Sequence, residues 1–298
     1  MTAFKERVAR GDILISDGAM GTYLQAKGLK PGECPEGWCI SHPEIIKGIH
    51  EAYIAAGADI VETNSFGGTR YKLKPYGLEG KVRDLNLAAV ALAKQAIAGK
   101  GYVAASVGST GHIVEDEGGD VASQDLYEAF KEQMVALAEG EPDALCIETM
   151  ASLSEALQAI KAAKENTKLP VICTFTFEAS PRGFRTMMGV TPERAARGAV
   201  AAGADIMGAN CGNGIVNMIE ITRQMRAAQP GTPLLINPNA GLPVLEGEKT
   251  VFKETPEFMA SKVPELIKAG AQIIGGCCGT TPEHIAAMAR AAKKPLSR

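Results

Sequence analysis

The chain has 298 residues, 46% of them hydrophobic, with 31 Lys and Arg against 34 Asp and Glu. That apolar content with a net charge of −3 excludes a disordered chain and provides no basic surplus for binding nucleic acid through its phosphates. Apolar runs are short and broken by Gly, Asp or Glu, and the charged residues 1–7 hold no apolar signal stretch, so a cytoplasmic protein with no membrane span is expected.

In chain order, strands are expected at 13–17, 60–64, 103–108, 144–148, 171–175, 206–211, 234–237 and 273–277. They read as continuous apolar runs rather than alternations, as parallel strands buried on both faces do. Helical patterns lie between them; Ile46, Ile49, Tyr53 and Ala56 share one face of the first long helix. A closing phrase recurs as Ala56-Gly57-Ala58-Asp59, Ala202-Gly203-Ala204-Asp205 and Ala269-Gly270-Ala271-Gln272, with Gly where a helix end turns left-handed. An opening phrase recurs as Thr191-Pro192-Glu193, Thr255-Pro256-Glu257 and Thr281-Pro282-Glu283: an N-cap, a first-turn Pro, and an acid at the positive end of the helix dipole. Alternating β and α segments of this number predict an α/β protein, a single-domain (β/α)8 TIM barrel over 1–298. The competing fold is an open doubly wound sheet, but no Gly-x-Gly-x-x-Gly follows the first strand. The longest strand-to-helix loops are expected at 18–42 and 108–125, the second with an acidic patch, Glu115-Asp116-Glu117, that reads as a solvated face.

A barrel of this kind places its active site at the C-terminal ends of the strands. Asp17, Glu62, Asn64, Glu148, Cys211, Asn237, Asn239, Cys277 and Cys278 fall there, although Glu62, Asn64 and Asn239 read equally well as loop caps. The cysteines are more specific. Cys146 and Cys173 sit inside apolar runs as small core residues, and Cys34 and Cys39 flank Trp38 with no further ligands beside them. Cys211 follows Gly208-Ala209-Asn210, and Cys277-Cys278 stand between Gly275-Gly276 and Gly279. Adjacent residues in a strand face opposite sides, so neighbouring cysteines share a metal only where the strand gives way, and glycines supply that freedom. The alternative is three unrelated packing cysteines. Three thiolates suit Zn²⁺, and with no fourth Cys or His beside them one position stays open for substrate. Such an anionic site is a poor activator of water but holds an incoming thiol as an electron-rich thiolate, which points to alkyl transfer onto sulfur.

Asp17-Gly18-Ala19-Met20-Gly21-Thr22, Glu62-Thr63-Asn64-Ser65-Phe66, Asn210-Cys211-Gly212, Pro238-Asn239-Ala240-Gly241 and Gly275-Gly276-Cys277-Cys278-Gly279-Thr280-Thr281-Pro282-Glu283-His284 resemble the homocysteine S-methyltransferase family from about residue 10 to 293. The likeness is greatest to the homocysteine-binding module of cobalamin-dependent methionine synthase. The resemblance implies a (β/α)8 barrel in which Cys211, Cys277 and Cys278 bind Zn²⁺ and homocysteine takes the open site. It also implies that Glu148 receives the substrate ammonium. Asp17 is the other suitable carboxylate, and the backbone of Gly18, Ala19, Gly21 and Thr22 suits the substrate carboxylate. Asn64 and Asn237 complete the expected substrate site. Asn237 stands where many relatives carry Tyr or Gln, and its oxygen is positioned to serve the zinc when substrate is absent. In the loop Gly108-Ser109-Thr110-Gly111-His112, where relatives often have Gly-Pro, the chain is expected to face the methyl donor.

The donor expected from the resemblance is methylcobalamin on a separate corrinoid-binding protein or on further domains, since nothing in residues 1–298 is left to hold a corrinoid. The alternatives are a free donor such as S-methylmethionine or betaine, or a non-catalytic zinc- and thiol-binding subunit. A betaine would require an aromatic cage, for which Tyr23, Tyr71, Tyr76 and Trp38 are the candidates. His42, His50, His112 and His284 are assigned cap or surface roles.

Overall fold

The computed structural model describes residues 3–247 and 249–293. The charged start of the chain read above therefore lies in part outside the described residues. Eight parallel strands form one sheet: β1 Leu14–Ile15, β2 Ile60–Glu62, β3 Tyr102–Val107, β4 Ala144–Met150, β5 Val171–Phe175, β6 Ile206–Asn210, β7 Leu234–Asn237 and β8 Ile273–Ile274. The spatial order is β1-β8-β7-β6-β5-β4-β3-β2, and a parallel bridge between Ser16 and Ile60 joins its two edges. The sheet is thus a (β/α)8 barrel, and an open doubly wound order is excluded. One long helix follows each strand: α1 Pro43–Ala55, α2 Val82–Ile97, α3 Ser123–Glu139, α4 Leu153–Asn166, α5 Pro192–Ala201, α6 Ile215–Ala228, α7 Pro256–Ala269 and α8 Pro282–Ala292. Among the described residues no helix is long and apolar enough to cross a membrane.

The recurring phrases have physical work at both ends of the helices. Gly57, Gly203 and Gly270 have φ of 103°, 104° and 116°, so each turns the chain out of its helix in the left-handed region. The Asp that follows reaches back across the barrel floor. Asp59 Oδ2 accepts from Ile15 N at 2.9 Å and Asp205 Oδ2 from Val171 N at 2.8 Å; Asp143 Oδ2 does the same for Val103 N at 2.8 Å. Buried strand starts therefore keep their N–H groups paired where the ladder begins. At the opening phrases, Thr191 and Thr255 accept from Arg194 N and Phe258 N. Thr281 differs: its backbone N–H donates to Nδ1 of His284 at 3.2 Å, which leaves Nε2–H of that ring to donate to Glu254 O at 2.9 Å.

Two apolar layers fill the barrel. Leu14, Ile60, Tyr102, Ala104, Ala144, Cys146, Ile172, Ile206, Leu235 and Ile273 form its interior cluster, and Phe4 and Val8 of the helix Phe4–Ala9 close the bottom. The intervening strand residues, among them Leu145, Ile147 and Cys173, belong to the larger cluster shared with the helices. Burial on both faces is why the strands carry no apolar–polar alternation in sequence.

Several expectations are corrected. Some strands end sooner at the top than the apolar runs suggest, β1 at Ile15 and β8 at Ile274, because Asp17 and Gly275 to Cys278 leave the ladder to build loops, whereas β4 runs on to Met150. Two antiparallel hairpins, Glu178–Ser180 with Gly183–Arg185 and Val244–Glu246 with Lys249–Val251, stand in the loops after β5 and β7, where no strand was expected. Glu117 of the acidic patch is not simply solvated, since its two oxygens accept from Ser152 Oγ at 2.7 Å and Ser154 Oγ at 2.6 Å. His50 is neither a cap nor a surface residue; it is fully buried on α1 and neither ring nitrogen has a hydrogen-bond partner.

Burial pushes the His50 pKa down to about 4. In the unfolded chain it titrates near about 6.5. The protonation of His50 therefore costs nothing above that pH and destabilises the fold progressively as pH falls from about 6.5 towards 4, where the unfolded state takes up the proton more readily. Urea unfolding of His50→Leu and wild type at about pH 7.5 and about pH 5 is expected to show the variant gaining about 2 kcal/mol relative to wild type between the two.

Candidate functional site

Moving up two residues from the upper apolar layer changes its character on every strand. Ser16, Glu62, Ser106, Glu148, Thr174, Asn237 and Gly275 follow Leu14, Ile60, Ala104, Cys146, Ile172, Leu235 and Ile273, while Asn210 lies two such steps above Ile206. The period of two puts these polar residues inside the barrel at its upper rim. They bond to one another across the interior. Ser106 Oγ donates to Glu148 Oε1, Asn237 Nδ2 to Glu62 Oε1 at 3.2 Å, Thr174 Oγ1 to Asn210 Oδ1 at 2.7 Å, and Asn210 Nδ2 to Glu148 Oε2 at 3.2 Å. Above the ring opens a cavity of about 290 Å³, lined among others by Asp17, Gly18, Ala19, Gly21, Glu62, Asn64, Glu148, Asn237, Cys211, Cys277 and Cys278.

The three cysteines meet there. Their sulfurs all lie within 4.8 Å of one another, and Cys211 Sγ is 3.8 Å from Cys278 Sγ. Cys211 turns to the mouth because its backbone takes φ of 59°, in the left-handed region that a side chain adopts at a cost of about 1–3 kcal/mol. Cys277 and Cys278 are freed from the ladder by the two preceding glycines; a Cβ on Gly276 would lie 2.4 Å from Thr280 Oγ1. The loop after β7 fastens the two sources of sulfur together. Cys211 N donates to Asn237 O at 3.1 Å, Cys277 N to Pro238 O at 2.8 Å, and Ala240 N to Cys278 O at 3.0 Å.

This donor set fits zinc. Thiolates about 2.3 Å from a tetrahedral ion lie about 3.8 Å apart, which is the Cys211–Cys278 separation. Hydrogen bonds from the thiols of Cys277 and Cys278 push Cys211 down to about 3, while donating to Cys211 holds Cys277 high and Cys278 up at about 11. The trio by itself therefore favours one shared negative charge. Asn237 Oδ1 is buried without a hydrogen-bond partner, a neutral oxygen beside the thiols' cavity.

Three carboxylates face the same cavity, Asp17 buried and Glu62 and Glu148 partly buried. Burial raises all of them, and neighbouring charge adds to it: Glu148 is pushed up to about 7 against the Ser106 hydroxyl's opposing pull, and Asp17 and Glu62 are held well above the ordinary carboxylate range. Asp17 is oriented by Glu62 N, which donates to its Oδ2 at 2.9 Å. Such a cluster favours a cationic guest, whose charge relieves the repulsion.

Not every expected residue lines the cavity. Thr22 does not: its Oγ1 accepts from Gly279 N at 3.3 Å and so braces the double-cysteine loop. Ala19 N is already engaged with Thr280 Oγ1 at 3.1 Å, which leaves Gly18 and Gly21 as the expected backbone donors. Asn64 reaches the lining but spends its amide on Pro35 O at 2.7 Å and Cys39 Sγ at 3.5 Å. The loop 108–112 stands outside the lining, pinned by Glu155, whose Oε1 accepts from Thr110 N and Oγ1 at 2.7 Å each. The sequence reading had no role for Ser106, Thr149 or Asn210; the period-two step above the apolar layer is the signal that locates Ser106 and Asn210.

A family model described as homocysteine S-methyltransferase matches residues 14–292. The chain belongs to the homocysteine S-methyltransferase family. Methionine synthase of Mycobacterium tuberculosis (strain ATCC 25618 / H37Rv) is 31% identical over 298 residues, covering 94% of this chain and 24% of the relative. Methionine synthase of Mycobacterium leprae (strain TN) is 30% identical with the same coverage. The chain thus spans about a quarter of the length of these curated relatives. Among solved structures, the metallated form of the homocysteine methyltransferase MmuM from Escherichia coli superposes with a TM-score of 0.78 at 25% identity, over 94% of this chain and 96% of that one. For a homocysteine S-methyltransferase family barrel, the rim described here is the expected location of the active site.

The rim depends on one buried hydroxyl. Tyr53 of α1 donates to Ala19 O at 2.9 Å and stands 3.2 Å from Thr280 O, tying the first loop to the double-cysteine loop. Tyr53→Phe leaves these carbonyls without that donor and is expected to lower stability by about 1–3 kcal/mol in denaturant unfolding.

Proposed function

We propose that the protein transfers a methyl group to the thiol of homocysteine, forming methionine, at a zinc ion held by Cys211, Cys277 and Cys278. The convergence of three thiols and an ammonium-seeking carboxylate cluster on one cavity carries this reading. Family membership supports the acceptor. Zinc bound by three thiolates supplies a lowered pKa for an incoming thiol while leaving its sulfur electron-rich.

The chain's own residues do the rest. Glu148 and Asp17 receive the ammonium of homocysteine, and the backbone of Gly18 and Gly21 receives its carboxylate. Glu148 acts as the carboxylate partner although it is pushed up to about 7 in the free protein, because the arriving ammonium favours its charged form. With zinc held by the three thiolates, Asn237 Oδ1, which lacks a hydrogen-bond partner and lines the same cavity, would be available as a neutral ligand in the absence of the substrate thiol. In the transfer, the thiolate sulfur bonds to the methyl carbon as the donor–carbon bond breaks, and the bonding electron pair stays with the donor. The proton lost by the thiol on binding passes to solvent.

The donor is methylcobalamin, carried by a corrinoid-binding protein or by further domains rather than by this barrel. The identity of 30–31% to two methionine synthases supports it. The cavity also gives a cationic donor no aromatic cage. Phe66 is the aromatic residue in its lining among the described residues. Trp38 stacks on His42, Tyr71 packs on His112, and Tyr23 packs edge-on against Tyr53. A free small donor, such as S-methylmethionine or betaine, is the second reading.

The protein is expected to bind about one zinc per chain. Cys211→Ala, Cys277→Ala and Cys278→Ala should each lose most of it, and metal analysis finding full zinc in any two of them rejects the centre. Glu148→Ala should keep its zinc yet bind homocysteine about 30-fold or more weakly in calorimetry, since losing one partner of a desolvated charge pair costs about 2–5 kcal/mol. Homocysteine binding near neutral pH should release close to one proton, counted from binding heats in buffers of different ionisation enthalpy. Methionine formation from methylcobalamin, free or loaded on a corrinoid protein, but not from S-methylmethionine or betaine, completes the test. Proton release with no methionine from any of these donors would leave a thiol-binding subunit instead.

A further inference from the structure

Asn210 is 1% exposed and stands behind the cavity rather than in its lining. Yet its amide touches both halves of the proposed site. Oδ1 accepts from Thr149 N at 2.8 Å and Thr174 Oγ1 at 2.7 Å; Nδ2 lies 2.6 Å from Thr149 Oγ1, 3.2 Å from Glu148 Oε2 and 3.9 Å from Cys277 Sγ. The orientation is not open to a flip. The backbone N–H of Thr149 can only donate, so the oxygen must face it and the NH₂ must face the carboxylate and the sulfur. Thr149 itself has φ of 60°, and the residue after Asn210 is Cys211 with φ of 59°. One amide is therefore clamped between two left-handed residues, one following Glu148 and the other a proposed metal ligand.

We propose that Asn210 is the positioning residue that sets the spacing between the two ends of the substrate site, by holding the Glu148 carboxylate and the Cys277 sulfur on one rigid amide. This rests on the function proposed above. Homocysteine spans a fixed number of bonds from ammonium to sulfur, so both its anchors must keep their separation for the thiol to arrive while the ammonium is bound. A neutral amide between two anionic groups shares its two N–H donors among them and Thr149 Oγ1 without adding charge. Asparagine fits this place because it supplies acceptor and donor from one short side chain whose buried groups are all paired. An aspartate there keeps the shape and the bond from Thr149 N but turns an oxygen towards Glu148 and Cys277.

The test uses Asn210→Asp, Glu148→Gln and the double variant, each measured for zinc content, homocysteine affinity by calorimetry, and the thiolate-to-cobalt charge-transfer band of the Co²⁺-substituted protein. Asn210→Asp is expected to keep about one metal per chain, to bind homocysteine about tenfold or more weakly, and to move the charge-transfer band to lower energy as the sulfur loses its N–H donor. Because Asn210 acts through Glu148, adding Asn210→Asp to Glu148→Gln should weaken binding by less than about threefold more. Unchanged affinity and an unchanged band overturn the proposal, as does a double variant in which the two losses multiply in full. If Asn210→Asp does not fold, Thr174→Val removes one bond to Oδ1 and is expected to move both readouts in the same direction by less; no movement in either overturns it. The function and this inference fail differently. Wild-type protein that binds no homocysteine rejects the substrate reading and the Glu148 half of the proposal, while the cobalt band still decides whether Asn210 holds Cys277.

Discussion

Closure of a parallel sheet into a ring stacks the side chains at its inward-facing positions in layers drawn from alternate strands, and everything else at the site depends on that geometric constraint. Below the rim those positions are filled by Leu, Ile, Ala, Tyr and Cys and make a dry plug. One step higher the plug gives way to serine, threonine, asparagine and glutamate, several of which bond to one another across the interior. A polar layer in that place is stable only if each group finds a partner, because a buried unpaired group costs about 1–3 kcal/mol. The exceptions are informative. Ser16 Oγ, Asn237 Oδ1 and Asn239 Oδ1 lack partners, and Asn237 is among the residues that line the cavity.

The sulfurs require the regular strand to fail. Alternation would keep Cys277 and Cys278 on opposite faces, and it would send Cys211 away from the side that Asn210 faces. Two devices overcome it: a left-handed residue at Cys211, and paired glycines before Cys277. Neither device is stable in isolation. Backbone hydrogen bonds from the loop after β7 hold both sulfur-bearing segments, and Tyr53, Thr280 and Thr22 tie the double-cysteine loop to the first loop of the barrel. The strained segments are thus held by an already packed scaffold, which fits a metal centre that is built on the barrel rather than one that folds it.

Charge is balanced in the same economical way. Three carboxylates and three thiols share a buried rim, and burial disfavours the charged form of each carboxylate in the free protein. A divalent metal at the thiols and an ammonium at the carboxylates are complementary guests for such a site. The proposed substrate carries the second and seeks the first, so its binding answers both halves of the electrostatic problem at once.

The sequence by itself determined the barrel, the class of its strands and the three cysteines that meet at its mouth. Apolar runs of parallel-strand type, Gly at helix ends, and cysteines set beside glycines at strand ends are local signals, each with a local physical cause. It also pointed to Asp17, Glu148 and Asn237, because a polar residue closing an apolar run is visible without a structure. Only the tertiary structure decided how these residues are used. Thr22 proved a brace, the loop 108–112 is pinned outside the cavity, and His50 is buried with no partner, since each outcome depends on a neighbour far away in the chain. Asn210 shows the limit most clearly. In the sequence it is the residue before a cysteine; in the barrel, contacts 61 or more residues distant make it the hinge between the carboxylate and the sulfur. Pairings across a closed ring are set by strand register and loop path together, and no local pattern encodes both.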